Sequence, residues 1–353
     1  MCYVFAYLHR RDLVDRIEGV MMRIAYEVMK KEFERVLKKH GMGEAETVRC
    51  ASLFAQTSLD GVYSHGLNRF PVFIDYIERG VVKVGAKSSL EGCFGCLERW
   101  NGNEGPGNLN AYAAMERAIA LAKDTTIGCV ALSNTNHWMR AGSYGLLAAQ
   151  SDCIGILWTN TMPNMPPWGG KEPLLGNNPL VLAIPHGDSP VLVDIAMSMF
   201  SYGKMMNYRR EGKELPFDGG FDEEGNCTRD PAAILKTLRP LPIGYWKGSG
   251  LSLALDLIAA TLSGGLTTHE VGKISVEATV SQVFLAINLA SLPDRKAIEA
   301  KIEETLRALK ESEPVEGGSA VHFPGEGTKK TREENLKEGI PVDEDIWKKV
   351  CQL

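Results

Sequence analysis

Four short runs rich in valine and isoleucine, at residues 127–132, 154–159, 180–185 and 191–195, lie between stretches whose apolar residues recur at helical spacing. A chain built this way is constrained to an α+β fold, with a sheet drawn from its interior and helices from its ends. On the N-terminal side, apolar residues at 24, 25, 28, 29, 33, 36 and 37 mark one face of a helix over 22–39 that Gly41 stops. Residues 45–59 read as a second helix, ended by Asp60-Gly61. A third carries Phe70, Phe73, Ile74 and Ile77, and Pro71 fits only its first turn, so it begins near Asn68. Further helices are predicted at 109–123, 143–150, 249–262, 295–311 and 343–351, with a Gly/Pro-rich connection over 313–330. His186-Gly187-Asp188-Ser189 reads as the hairpin turn between the last two strands.

At 353 residues the chain exceeds what one core usually serves, and two domains are expected. A net charge of -5 gives no basic footprint for nucleic acid and no polybasic patch for a membrane surface. No uninterrupted apolar run is long enough to span a bilayer. The apolar stretch at 2–8 precedes His9-Arg10-Arg11, the reverse of a secretory signal. The family likeness set out below starts near Met22, which leaves residues 1–21 as an extension of unknown standing. Of eight cysteines, only Cys93-Phe94-Gly95-Cys96 has the spacing of a metal or redox pair, and no second pair completes four ligands. No metal is expected, and the sparse thiols suit a reducing cytoplasm.

Chemistry concentrates in Asp60-Gly61-Val62-Tyr63-Ser64-His65-Gly66-Leu67-Asn68-Arg69-Phe70. His65 can exchange a proton near neutral pH, and Arg69 can grip a carboxylate through two parallel hydrogen bonds. Reducing a keto acid requires both an acid for the nascent alkoxide and a clamp for the carboxylate. The bland alternative is a helix cap beside a solvated arginine. His137 follows a predicted strand, in a loop with Asn134, Asn136 and Arg140, which is where sites tend to form. His9 and His40 fall on helix faces, His186 in a turn, His269 and His322 in polar connections, and these five read as solvated.

Nothing in the glycine pattern announces a nicotinamide coenzyme. Gly105-Pro106-Gly107 lacks a third glycine and a leading apolar strand, and Gly248-Ser249-Gly250 opens a helix without a buried strand before it.

The chain nevertheless resembles the malate/L-lactate dehydrogenase family that lacks a Rossmann fold. The likeness is carried by Ser64-His65-Gly66 with Arg69, and by Asn134-Thr135-Asn136-His137-Trp138-Met139-Arg140. It continues through Met165-Pro166-Pro167-Trp168-Gly169-Gly170-Lys171, Val193-Asp194-Ile195-Ala196-Met197-Ser198 and Gly244-Tyr245-Trp246-Lys247-Gly248-Ser249-Gly250. Where the family carries G-T-N-P, this chain has Gly176-Asn177-Asn178-Pro179. The resemblance implies a helical domain from both termini (22–100 with 290–353) and an inserted mixed-sheet coenzyme domain (101–289). It implies NAD as cofactor, with NADH the first choice and NADPH left open. The implied coenzyme contacts are Pro190, Val191, Leu192, Val193, Asp194, Ile195, Ala196, Trp246, Lys247, Gly325 and Glu326. His65 becomes the proton donor, with Ser64, Arg69 and His137 holding the substrate. A keto sugar acid is the implied substrate, and a cytoplasmic homodimer the implied assembly. Malate, lactate, sulfolactate or ureidoglycolate remain alternatives within the family. From other classes, a metal-dependent hydrolase would use His65, His137 and Asp194 as ligands, and a non-catalytic sugar-acid binder would need Arg69 alone. Asp194 can also be read as a helix cap before Met197-Ser198, and Trp246 as a core aromatic.

Overall fold

The computed structural model describes residues 22–290 and 292–353, so the N-terminal extension and His9 lie outside it. Among the described residues the elements begin with β1 (Arg23–Ile24), α1 (Tyr26–Lys39) and α2 (Glu44–Leu59). Two single 3-10 turns, Tyr63–His65 and Leu67–Arg69, then lead into α3 (Phe70–Glu78), β2 (Ser89–Phe94) and β3 (Leu97–Asn101). Next come α4 (Gly107–Thr125), β4 (Ile127–Thr135), α5 (Gly142–Gln150), β5 (Cys153–Thr159), β6 (Leu180–Ile184) and β7 (Val191–Ile195). An excursion follows of α6 (Tyr202–Arg210), β8 (Gly220–Phe221), β9 (Cys227–Thr228) and α7 (Pro231–Thr237). The chain closes with α8 (Trp246–Ser263), α9 (Thr268–Val271), β10 (Val280–Asn288), α10 (Arg295–Lys310), α11 (Glu326–Glu338), β11 (Ile340–Pro341) and α12 (Glu344–Gln352).

The main sheet has the order β2-β3-β4-β10-β5-β6-β7. Only β3 and β4 run parallel, joined over α4, and every other neighbouring pair is antiparallel. This is the mixed-sheet α+β architecture expected, without the parallel core of a dinucleotide fold. β10, absent from the predicted strands, lies at its centre, and Val283, Phe284 and Ala286 on it are fully buried. The β2–β3 hairpin joins the same sheet, although the expected boundary at residue 100 leaves it on the helical side. Cys93 and Cys96 flank its turn as free, exposed thiols.

Helices cover both faces of the sheet. Trp138 and Tyr144 pack against Phe284 on the α4–α5 side, while Leu255 and Ala259 of α8 pack near Trp158 and Val283 on the other. A separate core joins both ends of the chain, gathering Phe33, Phe54, Phe70 and Phe73 with Ile340, Trp347 and Val350. The Phe33 and Phe70 rings stack at 4.2 Å, and burying each contributes roughly 1.5–3 kcal/mol. Phe70 thus anchors the segment that ends at Arg69.

Three local expectations need correction. The first helix starts at Tyr26, because Arg23 and Ile24 pair with Pro341 and Ile340 as strands. The third starts at Phe70, because residues 63–69 are spent on the two 3-10 turns. α11 occupies part of what reads as connection and continues beyond it; Asn335 is its one buried residue, so no apolar stripe announces it.

Gly105-Pro106-Gly107 does follow a strand, β3, and opens helix α4. A Cβ on Gly107 would lie 2.2 Å from the Asn136 carbonyl oxygen and 2.4 Å from that of His137. On Gly105 it would lie 2.4 Å from the Ala86 carbonyl oxygen. These glycines let backbones touch, and the space a phosphate would need is filled. Gly107→Ala is therefore expected to act on folding, lowering stability by about 1–3 kcal/mol, the scale of overpacking. Thermal unfolding checks it, and an alanine variant as stable as its parent contradicts the close approach.

Candidate active site

The two 3-10 turns bring His65 to the surface of the end-to-end core, and the β4–α5 loop brings His137 to meet it. Their rings lie 5.9 Å apart at 20°, close to parallel. Ser64 Oγ is 3.0 Å from His65 Nδ1, which leaves Nε2 for a substrate oxygen. His137 Nδ1 accepts the Met139 N–H at 3.0 Å, so the neutral ring carries its hydrogen on Nε2. Met139 reaches that bond from a left-handed backbone, φ 64°. Ser64 is pressed by the start of α6: a Cβ on Gly203 would lie 2.7 Å from Ser64 Cβ.

Both imidazoles are driven towards neutrality. Burial, then the charges of Arg69 and Arg140, pull His65 down to about 4. Burial, then Arg69 and His65, hold His137 well below its ordinary range. Arg69 also faces Glu277, which the sequence reading missed. Burial raises the Glu277 carboxyl, opposed by Arg69 and by a hydrogen bond from the Met162 backbone. No motif surrounds Glu277, so only its place before β10 reveals it.

Arg140 already holds a carboxylate of the chain itself. Its Nη1 meets the Asp60 carboxylate, and Asp60 accepts a second bond from Arg332 Nε at 2.7 Å. Among the other described histidines, three have carboxylate partners, and His322 is exposed as expected. His40 reaches the Val36 carbonyl at 2.8 Å and Glu78 at 3.0 Å, His186 reaches Glu303 at 2.7 Å, and His322 reaches Glu326 at 2.8 Å.

The residues expected to meet a coenzyme lie along the outermost strand. Leu192 N–H donates to the Pro324 carbonyl at 2.9 Å. A Cβ on Gly325, at φ 94°, would lie 2.9 Å from the Pro190 carbonyl oxygen, so the two backbones approach closely there. Pro190 to Leu192 and Gly325 are therefore together. Glu326 is engaged by Lys310 and His322. At the other end, Ile243 N–H donates to the Met197 carbonyl at 2.8 Å, which places the start of α8 beyond Ile195 and Ala196. Trp246 there is 65% exposed, so it is no core aromatic, and Lys247 Nζ lies 6.0 Å from its ring centre. Asp194, with Val193 before it, faces outward at the strand's end, and its Oδ2 accepts the Gly142 N–H at 2.9 Å. It caps a helix as the alternative reading held, but the helix is α5 rather than one at Met197-Ser198.

An exposed indole and an ammonium beside the edge strand fit a dinucleotide. The paired imidazoles and Arg69 fit a small carboxylate with a neighbouring carbonyl. Among the described residues, no three His, Cys, Asp or Glu side chains gather as metal ligands.

Comparisons with known proteins agree with this geometry. The family profile described as malate/L-lactate dehydrogenase matches residues 24–351. A 2,3-diketo-L-gulonate reductase of Citrobacter koseri is 46% identical over 334 residues, covering 94% of this chain and all of the relative. One from Klebsiella pneumoniae matches equally, at 46% and the same coverage. Among solved structures, malate dehydrogenase of Entamoeba histolytica superposes with a TM-score of 0.88 at 27% identity, covering 94% of this chain and 96% of its own. Sulfolactate dehydrogenase of Methanocaldococcus jannaschii gives 0.85 at 32%, covering 94% and 97%.

Proposed function

The chain belongs to the malate/L-lactate dehydrogenase family, and from that premise we propose that it reduces 2,3-diketo-L-gulonate to 3-keto-L-gulonate with NADH. The observation that carries the chemistry is the His65–His137 pair beside Arg69. The substrate follows from the reductases that match along their full length. A dehydrogenase of this family implies a nicotinamide cofactor, and NADH rather than NADPH is the finer proposal.

In this reading Arg69 takes the substrate carboxylate through two N–H bonds, with Ser64 beside it, and the adjoining keto oxygen falls to the imidazoles. Burial does most to hold His65 neutral, and the seated carboxylate cancels one of the two cations that add to it, which shifts His65 towards its protonated form. When bound, the coenzyme supplies a hydride to the keto carbon. His65 Nε2 gives its proton to the developing alkoxide, and His137 Nε2–H orients the same oxygen. Ser64 holds His65 at Nδ1 throughout.

Residues Pro190 to Ala196, Trp246, Lys247 and Gly325 are proposed to hold the coenzyme, with Glu326 at the edge of that seat. Lys247 is exposed, so Lys247→Ala is expected to weaken NADH binding by about 1.5 kcal/mol, roughly tenfold. Trp246→Ala should abolish energy transfer from that indole to NADH. Calorimetric and fluorescence titrations check both, and two unchanged dissociation constants would move the coenzyme elsewhere.

The proposed assembly is a homodimer. It is supported by the apolar side of α8, where Leu251, Leu253, Leu257 and Ile258 are 43–50% exposed. The division into a helical domain (22–100 with 290–353) and a coenzyme domain (101–289) is supported by the core shared between the chain ends. No helix among the described residues is long and apolar enough to cross a membrane, and a cytoplasmic location is proposed. A panel of keto acids assayed with NADH and NADPH tests the substrate. 2,3-Diketo-L-gulonate should give the highest kcat/KM, and a clear preference for oxaloacetate, pyruvate or sulfopyruvate would assign another member's role.

A further inference from the structure

The loops that carry the two imidazoles are tied together by a buried ion network. Arg140 lies three residues after His137, and Asp60 five residues before His65. They meet with Asp60 2% and Arg140 6% exposed, and Arg332 reaches the same carboxylate from α11 at 2.7 Å. Desolvating such ions costs several kcal/mol each, and apolar contacts would hold two loops together at least as well. The charge therefore calls for a use besides adhesion. Its surroundings supply one. His65 is faced by Ser64 from its own turn, by Arg69 from the next, and by His137 and Arg140 from the β4–α5 loop. Arg140 also faces Asp194, whose Oδ2 holds the Gly142 N–H at the end of β7.

We propose that Arg140, clamped by Asp60 and backed by Arg332, is a positioning residue for the reduction. It fixes the His137 loop, the His65 turn and the end of β7 in one register and sets the charge around His65. The inference rests on the reading of His65 as proton donor. Because Arg140 is one of the cations that depress His65, its effect is measurable at the imidazole itself. A role confined to stability would leave that imidazole unmoved.

The test uses the full chain with Asp60→Asn and Arg140→Gln together, so that no buried ion is stranded between them. Arg332, 39% exposed, can turn to solvent. In the folded double variant, the NMR titration midpoint of His65 should rise from about 4 towards its ordinary 6.5. Turnover should fall by about a hundredfold, the scale of a small misplacement of reacting groups. Arg140→Lys keeps the charge, so its midpoint should stay low while turnover still falls. An unmoved midpoint with normal turnover in the double variant overturns the proposal. If that variant does not fold, Arg332→Gln decides. Loss of this outer cation should raise the midpoint and lower turnover by a smaller factor, and no change in either contradicts the network. The outcomes also separate the two readings. An active His65→Ala variant removes the proton donor, whereas an inactive one beside an unaffected double variant removes only the role of Arg140.

Discussion

His65→Ala is expected to lower turnover by about a hundredfold or more, the usual scale for loss of a general acid, with NADH binding nearly intact. The ring is held by Ser64 at Nδ1 and stacked near His137, so its loss leaves no equivalent group in the same place. The same residue leaves a mark on stability. His65 titrates at about 4 in the folded chain against an ordinary 6.5, so between these values the unfolded chain binds more protons. Its contribution is complete above 6.5 and is lost as pH falls towards 4. The urea midpoint of His65→Ala should therefore decline less steeply than that of the parent over this window. Near-normal turnover in the variant would make His65 structural, and identical pH curves would contradict its burial as a neutral ring.

Arg69→Met should lower kcat/KM for the keto acid by about 3 kcal/mol, roughly 150-fold, the upper range for a hydrogen bond to a charged group. The other local candidate, Arg140, already holds Asp60 through its Nη1. Arg69→Lys keeps the charge but loses the planar fork, so it should recover only part of the affinity. Steady-state kinetics with unchanged saturation in Arg69→Met would require another carboxylate clamp. NADH affinity should hold in both variants, which separates a substrate defect from a general loss of the site.

The parts of this fold legible in the sequence are those with periodic apolar residues. α1, α2 and the β6–β7 hairpin read clearly, because each shows one dry face or a short β-branched run. β10 did not, although it is central. Its run from Val280 to Asn288 is buried on both faces and mixes Ser281, Gln282 and Asn288 among the apolar residues, so neither period stands out. β2 is mostly exposed and α11 buries a single asparagine, so both lack a pattern to read. The site divides in the same way. Ser64, His65 and Arg69 are neighbours in sequence, and their proximity was visible. The meeting of His65 with His137 is tertiary, and family likeness rather than spacing placed both in one site. Asp60 reads only as the end of a helix, and nothing in the sequence singles out Arg332 or Glu277; the folded chain sets Asp60 between Arg140 and Arg332 and brings Glu277 to Arg69. Gly105 and Gly107 show the converse: glycines on a strand–helix turn, taken up by backbone contact and not by a ligand.

The central claim is that an imidazole pair and Arg69 direct hydride to the keto carbon beside the substrate carboxylate. The direct measurement is one turnover of 2,3-diketo-L-gulonate with NADH deuterated at the transferring position, followed by NMR of the product. The account predicts one deuterium on C2 of 3-keto-L-gulonate for each NADH oxidised, with no loss of rate in the presence of a chelator. Binding of the sugar acid without NADH oxidation, or deuterium at any other carbon, would contradict it.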